Sequence, residues 1–179
     1  MFLLNYLDHT FRKLKSQIAN IFTLINLSLG GLAILFTVKN ELQLALIFIF
    51  SAALSDRFDG MVARKLGIES ELGKQLDSLC DLISFGVAPA LLLYQALLFE
   101  YSAPAAFFTI LYIACGAIRL ARFNVTESTG YFQGVPITAA GCLLTLSYFL
   151  IPHIPASAFM FLLLFLSFMM ISNITIRKI

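Results

Sequence analysis

Apolar residues gather along the chain in six long runs, at about 18–38, 41–63, 75–99, 103–124, 134–152 and 156–175. A helix of roughly 20 mostly apolar residues is long enough to cross a bilayer. The breaks between runs are short and several hold turn or capping residues: Lys39-Asn40, Ser102 with Pro104, and Pro152 to Pro155. Ahead of the first run the pattern changes. Phe2, Leu3, Tyr6, Leu7, Phe11 and Leu14 recur at helical spacing, with Arg12, Lys13 and Lys15 on the other side. This predicts an amphipathic helix over 1–17 that lies in the membrane interface. Its basic residues follow the first apolar ones and no small-x-small site closes a short apolar core, so it does not read as a cleaved signal peptide. The expected architecture is an all-α integral membrane protein: an N-terminal amphipathic interfacial helix (1–17) and a six-transmembrane-helix bundle (18–179), undivided by linkers or repeats.

Composition strengthens that reading. Of 179 residues, 60% are hydrophobic and 12% charged, against about half and a quarter in soluble domains; mean hydropathy is +0.91. A net charge of +2 gives no footing for nucleic acid. The placement of charge says more. Eleven of the 12 basic residues fall at one set of run ends, and Lys39 alone lies on the other. The positive-inside tendency then sets both termini and both longer connections in the cytoplasm, as a multi-pass protein of the cell membrane. Cys80, Cys115 and Cys142 sit in apolar stretches without metal-ligand spacing and read as packed thiols. His9 and His153 are isolated, which argues against a histidine metal site.

The polar residues that remain are concentrated where the second and third runs meet. Asp56 and Asp59 are three apart at the end of one helix, and Asp77 and Asp81 are four apart at the start of the next. Both spacings put side chains on one helix face, so two antiparallel helices joined by a short turn bring the four carboxylates together. Such a cluster does not stay ionised away from water without cations. Oxygen-only ligands favour hard divalent ions, Mg²⁺ or Mn²⁺, and two such ions would hold a pyrophosphate and neutralise charge at phosphorus. Gly60, Ala63 and Gly73 keep bulk off this face so that a nucleotide can approach, and Arg64 suits a phosphate. Glu69 and Glu71, in the turn, read as solvated. A cation carrier with an acidic site is the competing class, but carriers usually bind near the bilayer midplane.

The run Asp56-x2-Asp59-Gly60-x2-Ala63-Arg64-x8-Gly73-x3-Asp77-x3-Asp81 resembles, without departure, the signature of the CDP-alcohol phosphatidyltransferases. The resemblance implies two metal ions on Asp56, Asp59, Asp77 and Asp81, with Asp81 as the general base. It implies a CDP-lipid held by Asp56, Asp59, Gly60, Ala63, Arg64, Gly73 and Asp77, a homodimer, and release of CMP when an alcohol attacks the lipid phosphate.

Three further segments bear on the alcohol: Ser84-Phe85-Gly86-x2-Pro89-Ala90, Arg119-x2-Arg122-Phe123-Asn124, and Phe132-x-Gly134-x-Pro136. They resemble the phosphatidylserine synthase branch of the family, whose substrates are CDP-diacylglycerol and L-serine. Arg119 and Arg122, three apart, would clamp the serine carboxylate with Asn124 beside them. The same arginines suit the phosphate of glycerol 3-phosphate equally well, so phosphatidylglycerophosphate synthesis stands as the alternative. Pro89 is expected to kink the third run, helped by Gly86. Asn20, Thr23 and Asn26 recur at spacing three in the first run, either to reach the nucleotide or to bond neighbouring helices.

Overall fold

A computed structural model describes residues 2–66, 71–125, 131–172 and 175–177. Each of the six apolar runs is helical, and nearly all the chain is helix. α1 (Phe2–Val38) and α2 (Leu42–Leu66) form an antiparallel hairpin. A third rod follows in pieces: α3 (Glu71–Asp81), a π-helical turn over Leu82–Val87, α4 (Ala88–Leu93), a second π turn over Tyr94–Leu98 and a 3₁₀ turn over Phe99–Tyr101. α5 (Ser102–Val125) folds back along it. β1 (Tyr131–Gln133), α6 (Ile137–Ser147, extended by a 3₁₀ turn over Tyr148–Leu150), α7 (Ala156–Ile171) and β2 (Thr175–Arg177) complete the chain. β1 and β2 pair antiparallel, with Phe132 opposite Ile176; this small ribbon is an addition to the expected all-α fold.

Three boundaries depart from expectation. The amphipathic segment 1–17 is continuous with the first run: α1 is one 37-residue helix, since Ser16 to Asn20 contains no proline or glycine to break it. The fifth run starts at Ile137, not 134, because Gly134 takes φ +72° and Pro136 is extended at ψ 140°. The sixth helix stops at Ile171 instead of running on to 175, since Ser172 is extended at ψ 149°. By length and composition two stretches of described residues can cross a membrane, Asn20–Val38 and Glu71–Val125; Ile137–Leu150 and Ala156–Ile171 are shorter apolar helices.

The turn between α1 and α2 forms for a local reason. Asn40 adopts φ 63°, its N–H donates to Thr37 O and that of Glu41 to Phe36 O, both at 2.9 Å. This is the Schellman pattern, and asparagine tolerates its left-handed position better than most residues. Inside, small residues let the helices approach closely: Ala33, Ala45, Ala52, Ala88 and Ala90 are fully buried, as is typical of helices that associate in lipid. A larger core gathers Phe85, Tyr112, Ile137, Leu144, Leu163 and Met170. Thr37, Thr109, Thr145 and Ser167 turn their hydroxyls onto their own helices, each donating to the carbonyl four residues back at 2.7–2.8 Å. In a medium without water that is how a hydroxyl is satisfied. Phe107, Phe161, Phe165 and Phe168 point outward, an arrangement that lipid accommodates and water does not.

A carboxylate centre where the second and third helices meet

Asp56 near the end of α2 and Asp77 and Asp81 on α3 converge: one ligand oxygen from each lies within 4.8 Å of the others. The spacing of four puts Asp77 and Asp81 on one face of α3. Asp56 lies beside Asp81, and Asp77 lies within electrostatic reach of Asp56. Two carboxylates that meet oxygen to oxygen need a proton or a cation between them. Three converging carboxylates fit a hard divalent ion in donor type and in charge. The nearby lysine does not supply that charge, because Lys74 pairs with Glu71 at 3.4 Å. Glu71 itself is 87% exposed; it is solvated as expected, though at the first position of α3 and not in a turn.

Of the other expected metal and nucleotide residues, Asp59, Gly60, Ala63 and Arg64 lie on the last turns of α2, and their side chains fall outside the described residues. Gly73 is half-buried in the first turn of α3, on the helix that carries Asp77.

The arginines expected to act together have different partners. Arg119 is half-buried, within electrostatic reach of Asp81, and its guanidinium lies 6.0 Å from the Phe123 ring centroid. Its Nε is buried without a hydrogen-bond partner among the described residues. Arg122 is exposed and donates from Nη1 to Ile171 O at 3.0 Å, capping the last turn of α7. Asn124 is a strut between helices: its Nδ2 donates to Ser78 Oγ at 3.0 Å and to Gln75 Oε1 at 3.3 Å. It therefore ties the end of α5 to the helix that presents Asp77 and Asp81. Spacing of three brings Arg119 and Arg122 to one face but does not choose their partners.

Directly after Asp81 the helix widens into the π turn Leu82–Val87. Pro89 has no N–H for the carbonyl four residues back, that of Phe85. Instead of a simple kink, the chain widens so that Ala88 N–H reaches Ile83 O, and the Tyr112 hydroxyl of α5 donates to Phe85 O at 3.1 Å. Three helices grip this turn. From α1, Asn26 O accepts from Ser84 Oγ at 3.2 Å, and Gly30 lies so close to Ser84 that a Cβ would collide with it. From α6, a Cβ on Gly141 would come within 2.5 Å of Phe85 O. From α5 comes Tyr112. The sequence reading placed no role on Ser78, Tyr112, Gly30 or Gly141. The only local signal for them was Ser78 lying between two of the aspartates.

Comparison with known proteins agrees with this geometry. The family model for CDP-alcohol phosphatidyltransferase matches residues 16–176, and the chain belongs to that family; it is a transferase. Among curated relatives, it is 41% identical over 128 residues to a CDP-diacylglycerol–serine O-phosphatidyltransferase of Bacillus subtilis, covering 70% of this chain and 72% of that protein. It is 37% identical over 173 residues to an archaetidylserine synthase of Methanothermobacter thermautotrophicus, covering 94% and 73%. A CDP-diacylglycerol–serine O-phosphatidyltransferase of Methanocaldococcus jannaschii is 44% identical over 127 residues, 71% of this chain and 58% of that one.

Proposed function

We propose that the protein is a CDP-diacylglycerol–serine O-phosphatidyltransferase, converting CDP-diacylglycerol and L-serine to phosphatidylserine and CMP. The observation that carries the reading is the convergence of Asp56, Asp77 and Asp81 in a chain whose curated relatives are named for a serine acceptor. Asp59 joins these three to hold two divalent ions, Mg²⁺ or Mn²⁺. When bound, the ions neutralise negative charge on the pyrophosphate and at phosphorus.

The residues of the chain do the rest. Asp81 takes the proton of the serine hydroxyl while that oxygen forms a bond to the lipid-linked phosphorus. The bond from this phosphorus to the oxygen bridging to CMP breaks, and CMP leaves carrying that oxygen. Asp56, beside Asp81, would share the ions with it. Gly60, Ala63, Arg64 and Gly73 border the CDP moiety, where small residues and a guanidinium suit a phosphate close to backbone. Arg119 meets the serine carboxylate, and Arg122 and Asn124 hold the end of α5 that presents it.

The remaining features of the reading are a six-span bundle with its basic ends and active site in the cytoplasm, the amphipathic first turns of α1 at the membrane surface, and a homodimer. Short α6 and α7, at ~1.5 Å per residue, fall below the ~30 Å of a hydrocarbon core; a bilayer thinned locally or completed by flanking residues accommodates them.

The test is turnover by purified protein in detergent with CDP-diacylglycerol and either ion, offering labelled serine, glycerol 3-phosphate or inositol phosphate in parallel. Phosphatidylserine with stoichiometric CMP is expected, abolished by chelation and restored by either ion. Product from another acceptor alone would retain the carboxylate chemistry and remove serine. CDP-archaeol in place of the diacyl lipid tests the lipid arm, given the archaetidylserine synthase among the relatives.

A further inference from the structure

Asn26 is a neutral side chain with no solvent exposure, and both of its polar atoms, Oδ1 and Nδ2, are buried and unsatisfied among the described residues. A buried amide left unpaired destabilises a fold, so its retention calls for a ligand. Its location is fixed by its neighbours. The Asn26 carbonyl accepts from Ser84, and Gly30, one turn on, abuts the same serine. Asn26 therefore stands one helical turn deeper than Asp81, on the α1 side of the π turn.

Resting on the reading of the site given above, we propose that Asn26 is a specificity-determining residue for the acceptor, taking the ammonium of L-serine on Oδ1 and a carboxylate oxygen on Nδ2. A neutral amide offers both an acceptor and donors, as a zwitterion requires, whereas an ester or phosphate oxygen would leave Oδ1 unused. The dimension also fits. A helical turn rises ~5.4 Å, about the reach of serine from hydroxyl to carboxylate, so a molecule whose hydroxyl meets Asp81 extends its charged end to the level of Asn26. The buried, unpartnered Nε of Arg119 serves the carboxylate from the α5 side.

Asn26→Leu, nearly isosteric and apolar, tests this with two readouts. If the amide awaits a ligand, the unliganded variant unfolds at a higher temperature than the parent, because a buried unpaired group has been removed. Its KM for serine rises about tenfold or more, the loss of a hydrogen bond to a charged group, while KM for CDP-diacylglycerol stays within about twofold. Asn26→Ala serves should leucine prove too bulky, and carries the same expectation for the two KM values. An unchanged serine KM in a folded variant, or an equal rise for the CDP-lipid, overturns the proposal. So does a fall in melting temperature with Leu while Ala leaves serine KM unchanged, which assigns the amide to the core. Failure of the parent to use serine at all overturns the acceptor reading itself, and is seen before any variant is compared.

Discussion

The third rod widens twice, and the two π turns differ in everything but geometry. Leu82–Val87 follows Asp81 immediately. Its Ser84, Phe85 and Gly86 are buried, and α1, α5 and α6 hold it through a hydroxyl, a phenol and two glycines. Tyr94–Leu98 lies at the other end of the rod, with Leu98 alone fully buried and a Tyr94–Phe99 edge contact at 6.0 Å beside it. A widened turn is thus tolerable anywhere that lipid or side chains fill the space. It becomes a positioning device only where neighbours fix it. The first turn directly follows Asp81, so on the proposed reading its supports bear on the carboxylate centre although none bears a charge.

That contrast can be tested from its centre outward. Asp81→Asn removes the proposed base and should lower turnover by about 10²–10⁴-fold while leaving CDP-lipid binding measurable by titration; unchanged turnover would assign the proton to another group. Gly141→Val forces carbon against the Phe85 backbone, and overpacking of this kind costs about 1–3 kcal/mol. Its thermal midpoint in detergent should fall and its kcat should fall with it. Tyr112→Phe leaves Phe85 O without the phenol, a loss of about 0.6–1.7 kcal/mol by the range for hydrogen bonds between membrane helices. Gln95→Ala, in the second turn, should stay within about 0.5 kcal/mol of the parent with unaltered kcat. Equal effects from the two turns would erase the distinction.

Local pattern made part of the carboxylate centre legible, because a spacing of four puts Asp77 and Asp81 on one face of α3 and Asp56 stands near the end of the helix before it. The helical runs were legible from their apolar length, although the third is broken into α3, α4 and two π turns. Pro89 announced an irregularity but not its form, which depends on Tyr112, 27 positions from the carbonyl it satisfies. Arg122 was read with Arg119 because they share a face; its bond to Ile171, 49 residues on, follows from how α7 packs on α5. Asn124 similarly finds Gln75 and Ser78 across the bundle. Periodicity reports which face a residue occupies, and only the assembled bundle decides what that face meets. Gly134 is of the same kind: its N-terminal run read as helix, yet a Cβ there would collide with Met170 O and Val135 N–H donates to Met169 O at 3.1 Å, contacts that need α7 in place.

Because α1 is unbroken over 37 residues, it is a rod of ~55 Å, far longer than the ~30 Å hydrocarbon layer. Such a rod tilts as one body when the bilayer thickens or thins. Along that rod, Gly30 touches Ser84 with no space for a single carbon, three residues from Asp81. A change of residue at Gly30 therefore reaches the carboxylate centre through Ser84.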